Sequence, residues 1–340
     1  MLHINSETSE ILITTPDYPP KLGGLSTFTK SIERALQNLG LDYDVLVWDN
    51  VQQLKGNPLK HKYKYGLHIH FFGAHYLSHY IDRNINFIHG SEILFTSPNM
   101  LKRIYKKLFK RHFLASLEKS FFNVFISEFT LKKTCERGLK LSYDRDIVFH
   151  NCIDISSAKF VKKSLEDQVI NISCIARDVP HKNLDYAFKV SKVISMALNK
   201  TVHLFITKDF PSNEFVKVEN ISKVSNELRG EILSQCHFNL LLSLDHSDRG
   251  FYEGFGLTVL EAGSFGTPSI VSPFGGLVES CHDGDTGWIL PLRDNAFSKF
   301  FSSLTDSDYQ RVSKSVYEHT RLSHNESLYD HLLARVMNEQ

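Results

Sequence analysis

Hydrophobic positions in this chain alternate between two kinds of run. Short, nearly continuous apolar stretches recur at Ile11-Leu-Ile-Thr14, Asp44-Val-Leu-Val-Trp48, Leu67-His-Ile-His-Phe-Phe72 and Ile85-Asn-Phe-Ile-His89. Runs of this length and composition read as buried strands. Between the first two, Phe28, Ile32, Ala35, Leu36 and Leu39 recur at helical spacing from Ser26 to Leu39, and Gly40 supplies the stop. The second half repeats the scheme. Val169 to Arg177, Val202 to Thr207 and His237 to Leu244 read as strands, with helices from Leu184 and over Asn226 to Gln235. Strands alternating with helices predict parallel sheets covered on both faces. Residues 294–316 and about 325–337 have helical spacing, while residues 155–167, rich in Lys and Ser, read as a linker. The expected organisation is a first α/β domain over 1–154, the linker, a second over 168–324, and a C-terminal helix over 325–340.

A chain of 340 residues with 42% hydrophobic content has enough material for two cores. The net charge of +1 gives no global field pointing to nucleic acid. Cys135, Cys152, Cys174, Cys236 and Cys281 are scattered, which favours reduced thiols and a cytosolic setting over a disulfide framework. The first residues carry no basic region followed by an apolar core, so no secretory leader is expected. No apolar run approaches the ~20 residues of a spanning helix. The expected location is the cytoplasm, with peripheral contact to the inner membrane left open.

Candidate chemistry concentrates in Asp248 to Gly266. Gly254 and Gly256 let backbone come close to a ligand. The amides of Gly256, Leu257 and Thr258 open a short helix, running from about Gly256 to Gly266, and would suit an anion. Glu253 precedes that helix and Glu261 lies in its second turn, each able to accept two hydroxyl donors. Read alone, this is more readily a glycine turn and a capped helix with solvated carboxylates. At the end of the Val169 strand, Arg177 and Lys182 can converge on one anion, or be plain surface charge. Gly23-Gly24 follows the first strand without a dinucleotide fingerprint or a P-loop lysine. His89 stands at the carboxyl end of a strand, the edge where open α/β sheets bind ligands.

Taken together these segments resemble the retaining glycosyltransferases of family 4, which have the GT-B fold. Glu253-Gly-Phe-Gly-Leu-Thr-Val-Leu-Glu261 resembles their E-x7-E signature, and the likeness runs on through Thr267-Pro-Ser-Ile-Val, Gly275-Gly, Glu279 and Asp285-Thr-Gly-Trp. Arg177-x4-Lys182-Asn resembles their G-R-x4-K-G element, with Ala176 and Asn183 where glycines are commoner. Asn tolerates left-handed backbone, so that turn can survive. Asn151-Cys-Ile-Asp154 resembles their N-G-V-D turn with Cys152 in place of Gly, and Val124-Phe-Ile-Ser127-Glu128 their strand and helix start. Thr207-Lys-Asp replaces the usual Gly-x-Gly turn, which leaves base recognition open.

The resemblance implies two Rossmann-like parallel-sheet domains facing across a cleft. It implies that Arg177, Lys182, Gly23, Gly24, Phe255, Gly256, Leu257 and Thr258 line the donor diphosphate, that Glu253 contacts the donor sugar, Glu261 the ribose, and that His89 is an active-site residue. The implied activity is retaining transfer of a hexose from a UDP-, GDP- or ADP-linked donor to a glycan or lipid-linked acceptor, in bacterial surface polysaccharide or lipopolysaccharide synthesis. Retention would proceed by attack on the face the phosphate leaves, the phosphate taking the acceptor proton. No cofactor or metal is expected; Asp306-Ser-Asp308 lies in a helical region away from the motifs. A GT-B epimerase and a non-catalytic sugar-nucleotide-binding subunit are the competing classes. A phosphorylase would need pyridoxal phosphate on a lysine, and nothing resembles that signature.

Two further features invite a reading. His68 and His70 would share a strand face and His75 and His79 a helix face, yet no carboxylate or thiol set accompanies them, so packing or acceptor-side lining is favoured over metal. From Leu101 to Phe122, Lys102, Arg103, Lys106, Lys107, Lys110 and Arg111 interleave with Leu101, Ile104, Tyr105, Leu108, Phe109 and Phe113. An apolar stripe flanked by cations fits an anionic membrane surface, or a surface helix with a solvated basic face. No aromatic stacking platform accompanies these cations, so nucleic acid is not expected.

Overall fold

The computed structural model describes residues 2–3, 9–21, 23–56, 59, 61–96, 99–221 and 225–338. Most of the stretch read above as lacking a leader, and the Lys102 side chain, lie outside the described residues. The chain divides into two compact units. One comprises residues 1–152, 247–250 and 326–340, the other 153–246 and 251–325.

The first unit is built on strands β1 (Leu2–His3), β2 (Ile11–Thr15), β3 (Tyr43–Val47), β4 (Tyr63–His68), β5 (Ile81–Ile88), β6 (Phe122–Phe125) and β7 (Asp146–Val148). Their order across the sheet is β1-β3-β2-β4-β5-β6-β7, with β1 antiparallel on the edge and the others parallel. Helices α1 (Gly24–Asn38), α2 (Val51–Gly56), α3 (Phe72–Leu77), α4 (Met100–Lys119) and α5 (Glu128–Glu136) cover it. Every residue of β2 is buried, as a strand with both faces covered requires. Ile11 and Ile13 point to one face, where Phe28, Ile32 and Leu36 of α1 pack; Leu12 points to the other, against Leu46, Trp48 and Leu54.

The first layer is completed by helix α12 (Leu328–Asn338). Its Tyr329, Leu332, Leu333 and Val336 join Ile11, Phe28 and Phe87 in one core. Arg34 of α1 pairs with Glu326, its Nε donating at 2.9 Å to one carboxylate oxygen, and Tyr329 Oη accepts from the Cys152 amide at 2.9 Å.

The second unit has an all-parallel sheet of β8 (Val169–Cys174), β9 (Thr201–Ile206), β10 (Val216–Asn220), β11 (Phe238–Leu241), β12 (Ser269–Val271) and β13 (Gly287–Ile289), ordered β10-β9-β8-β11-β12-β13. Its helices are α6 (Leu184–Leu198), α7 (Asn226–Gln235), α8 (Leu257–Gly263), α9 (Leu277–Ser280), α10 (Asp294–Ser303) and α11 (Asp306–Ser323). Ile170, Ile172, Leu204, Phe238 and Ile270 of the strands pack with Leu184, Ile194, Phe297 and Phe301 of α6 and α10. Residues 155–167 are held along this unit. Lys159 and Val161 donate backbone bonds to Ser264 and Phe265, and Leu165 enters the core. Lys163 is buried, its ammonium satisfied by the Ser234 and Phe265 carbonyls and by Thr267 Oγ1 at 2.9 Å, and burial pushes it down to about 8.

Several boundaries differ from the sequence pattern. The fourth strand runs Tyr63–His68, not from Leu67 to Phe72, because Phe71 caps α3 and Phe72 opens it. His70 therefore lies beyond the strand, and His79 falls in a 3-10 turn over Ser78–Tyr80 rather than on the helix. Helix α8 ends at Gly263. The chain then reaches Gly266, at φ 69°, through a hydrogen-bonded turn in which Gly266 N meets Gly263 O at 2.9 Å. Ser127 is the N-cap of α5, its hydroxyl accepting from Thr130 N at 3.1 Å in a reciprocal capping box.

His68 shows what burial does to a titratable group in this core. Its side chain is fully enclosed, with Thr14 Oγ1 2.8 Å from Nδ1 and Asn84 Oδ1 2.9 Å from Nε2. Burial pushes the imidazole down to about 4, below its unfolded value of about 6.5. Its contribution to stability is therefore complete above about pH 6.5 and is lost as pH falls toward 4. The apparent urea midpoint should drop between pH 7 and pH 5, and drop less steeply in His68→Gln, which has no proton to take up. Equal slopes would show that protonation of His68 is not coupled to unfolding.

Candidate functional site

Two loops of the second unit carry most of the candidate residues. The first leaves the carboxyl end of β8. Arg177 stands exposed there, and a 3-10 turn over Pro180–Lys182 leads into α6. Asn183 occupies the left-handed region at φ 56°, with its Nδ2 donating to the Leu242 carbonyl at 3.1 Å. The turn therefore forms with Asn where the family more often has Gly. Thr207 ties the same strand end, its hydroxyl donating to the Ala176 carbonyl, while Lys208 pairs with Asp185 at 2.7 Å. The Thr207-Lys-Asp departure is thus accommodated by side-chain bonds around Ala176.

The second loop precedes α8. Gly276 N donates to Glu253 O at 2.9 Å. A Cβ on Gly275 would lie 2.4 Å from Glu253 O, and one on Gly276 only 1.9 Å from Gly254 O. No side chain fits between these two strands of backbone, which fixes both glycines physically. Gly256 caps α8 at φ 90°, again a glycine conformation, and the packed Phe255 ring lies 5.7 Å from that of His324. Leu257 and Thr258 follow as the first residues of the helix, whose opening amides have no acceptor within it.

The two loops meet. Lys182 Nζ donates to Glu253 Oε2, and the two side chains keep only 14% and 16% of their exposure. His181, one residue earlier, is buried with its ring lying flat on that of Phe251, centroids 5.2 Å apart and planes 11° apart. Burial, then the Lys182 ammonium, pushes the His181 imidazole down to about 4, so it is neutral at physiological pH. Phe251 in turn pairs with His246 through two 3.0 Å backbone bonds that close the Asp245–Gly250 loop. Glu261, one turn beyond the start of α8, is held by Arg229 of α7, whose Nη1 donates to both carboxylate oxygens at 3.0 and 3.2 Å. Sequence reasoning missed Arg229, His181 and Phe251. No motif marks them; they matter through partners 32 and 70 residues away. The carboxylates of the Asp306-Ser-Asp308 segment are structural, half-buried Asp306 accepting from Leu165 N at 2.7 Å and Asp308 accepting from the Thr305 hydroxyl at 2.6 Å. Among the described residues no group of three His, Cys, Asp or Glu could hold a metal ion.

The first unit holds the remaining candidates. Gly23 is extended and precedes α1, Gly24 is its first residue, and Gly23 O accepts from Thr27 N at 3.0 Å. A Cβ on Gly23 would fall 2.8 Å from Asp17 Oδ2. His89 follows β5, its amide donating to Glu92 Oε1 at 2.8 Å and its ring edge-on to Phe28 at 4.6 Å. Gly90 sits at φ 113°, turning the chain there. The His89 ring is pushed down to about 3 by burial and then by His70, and its Nε2 is buried without a partner among the described residues. His70 stacks on Phe71 and Phe72 and meets Trp48 edge-on, and His75 lies 4.9 Å from His112. These rings form an aromatic layer rather than a ligand set.

Against known proteins, residues 156–315 match the family model described as glycosyl transferases group 1. No curated protein sequence matches the chain. Among solved structures, Alr3699/HepE of Anabaena, determined in complex with UDP and glucose, is similar over 98% of this chain and 100% of its own at 13% identity, TM-score 0.68. Sucrose-phosphate synthase from Thermosynechococcus elongatus is similar over 97% and 99% at 13% identity, TM-score 0.72. WaaG, a glycosyltransferase involved in lipopolysaccharide biosynthesis, is similar over 97% and 100% at 12% identity, TM-score 0.65. Residues 156–315 thus match glycosyl transferases group 1 in sequence, and the chain shares the GT-B fold of those structures.

Proposed function

We propose that this chain is a retaining hexosyltransferase that uses a nucleoside-diphosphate sugar and works without a metal or other cofactor. The observation that carries this reading is the meeting of Lys182 with Glu253 on two loops of one unit, beside the mouth of α8. A cation for phosphate and a carboxylate for hydroxyls within one contact is what a sugar diphosphate requires. The group 1 family match and the UDP and UDP-glucose complexes of Alr3699/HepE support it.

In the proposed reaction the acceptor hydroxyl oxygen bonds to the sugar's anomeric carbon on the face that the diphosphate leaves. The bond from that carbon to the phosphate oxygen breaks, and the hydroxyl proton passes to the departing phosphate. Arg177, Lys182 and the amides of Gly256, Leu257 and Thr258 stabilise the charge that grows on the leaving group. The role of Phe255 toward the donor rests on the family resemblance. Glu253 holds sugar hydroxyls, and Glu261 takes the ribose diol while Arg229 keeps its carboxylate in place. The role of His89 toward the sugar rests on the family resemblance. The roles of Gly23 and Gly24 toward the diphosphate rest on the family resemblance.

We place the acceptor among glycans and lipid-linked glycans of bacterial surface polysaccharide or lipopolysaccharide assembly, on the cytosolic face of the membrane. Helix α4 supports this. Met100, Leu101, Ile104, Tyr105 and Leu108 form a stripe at helical spacing, with Leu101 78% and Leu108 68% exposed. Arg103, Lys107, Lys110 and Arg111 flank it, while Phe113 and Leu117 of the second half turn into the core. Immersed apolar groups flanked by cations fit an anionic bilayer at about 1 kcal/mol per well-placed cation. No helix among the described residues is long and apolar enough to cross a membrane.

Incubation with UDP-, GDP- and ADP-sugars should release free nucleoside diphosphate from one of them. An epimerase would change the sugar without releasing it, and a binding subunit would show a thermal shift alone. Lys182→Ala should weaken binding of the sugar-bearing donor by about 1.5–3 kcal/mol in calorimetry, the worth of a charged hydrogen bond; unchanged donor affinity would remove Lys182 from the site. Replacing Leu101 and Leu108 by Glu should abolish sedimentation with phosphatidylglycerol vesicles. Retained sedimentation would place the membrane surface elsewhere.

A further inference from the structure

Lys182 and Glu253 are both assigned to the donor, yet in the chain alone they satisfy each other. The pair is largely buried, so a ligand that draws Lys182 away leaves the Glu253 carboxylate short of both water and a counter-charge. Breaking a buried pair from one side is costly for that reason. A bare nucleoside diphosphate imposes this cost. It brings dense negative charge to Lys182 and no hydroxyl donors to Glu253. A nucleoside-diphosphate hexose brings the same charge with sugar hydroxyls next to it, and those can take the place of the ammonium on the carboxylate.

Resting on the nucleotide-sugar reading above, we propose that Glu253 discriminates donor from product by competing for Lys182. With sugar attached, Glu253 exchanges its ammonium partner for hydroxyls and Lys182 goes to the diphosphate. Once the sugar has been transferred, the carboxylate has no partner except Lys182, recaptures it, and weakens the grip on the departing nucleoside diphosphate.

The geometry fits an exchange carried by one side chain. The Glu253 loop is clamped by the Gly276 N to Glu253 O bond of 2.9 Å and by backbone too close for any Cβ at Gly275 or Gly276. On the other loop the Lys182 backbone is fixed as well. Its amide donates to Val179 O at 2.9 Å, and the next residue, Asn183, is tied to Leu242 O. What remains movable is the four-carbon stem of the lysine, whose ammonium can rotate between two acceptors without displacing either loop. His181, stacked on Phe251 and neutral, holds the two loops together while this happens.

The test is calorimetry of UDP, GDP and ADP, and of their glucose conjugates, on the wild type, Glu253→Gln, Lys182→Ala and the double variant. Glu253→Gln keeps the shape and removes the charge. It should bind the preferred nucleoside diphosphate at least tenfold more tightly than wild type, about 1.4 kcal/mol. It should also lose the wild type's preference for the sugar-bearing form, and the gain should vanish when Lys182→Ala is added. If Glu253→Gln does not fold, Glu253→Ser carries the same expectation. Affinity for the bare diphosphate that stays level or falls on removing the charge overturns the proposal. So does a gain that persists without Lys182, which would mean repulsion by Glu253 alone. If neither wild type nor any variant binds a nucleoside diphosphate or its conjugate, the nucleotide-sugar reading itself falls.

Discussion

The contact on which the candidate site depends is backbone against backbone. Gly275 and Gly276 approach Glu253 and Gly254 so closely that even a methyl group is excluded. That contact fixes where the Glu253 carboxylate starts from, and hence which cation it reaches. The Lys182 turn is fixed just as firmly, by the left-handed Asn183 and its bond to Leu242. A charged pair between two immobile loops differs from a surface ion pair. Neither loop has to be ordered to form it, and neither partner is screened freely by water. The chemistry proposed for the second unit follows from that rigidity, because a carboxylate that cannot retreat must find partners where it stands.

The first unit solves a different problem with different means. Its imidazoles are kept neutral by burial, His68 inside the sheet and His70 and His89 just beyond the ends of β4 and β5. Neutral rings can pack against Phe28, Phe71 and Phe72 without the cost of an enclosed charge. They still offer polar atoms to a ligand.

Much of this was legible in the sequence. The two parallel sheets followed from apolar runs of strand length alternating with helical spacing, and the strand leading into a helix at Val124 to Glu128 from its likeness to the family. The Glu253 to Glu261 stretch could be recognised because its spacing is local. What the sequence hid was long-range. Arg229 reaches Glu261 from another helix, and Phe251 finds His181 across 70 residues, neither carrying a local signature. The reading of His70 and His79 by strand and helix periodicity failed for a related reason. The chain leaves β4 at His68 because Phe71 and Phe72 are needed to pack α3, and periodicity cannot see where a strand stops being paired. Asn183 shows the opposite case, an apparent departure from the family pattern whose backbone preference restores the turn.

The first unit's core takes Tyr329, Leu332, Leu333 and Val336 from α12, which begins at Leu328, far along the chain from the end of β7 at Val148. During synthesis the earliest-made strands therefore emerge with only α1 on this part of their apolar layer, and the rest stays uncovered until residues 328–336 have left the ribosome. Residues 153–325, by contrast, contain all the strands of their own sheet and can close it before that. The half made first is thus expected to finish last, and its open sheet face is where a nascent chain would lean on a holding chaperone.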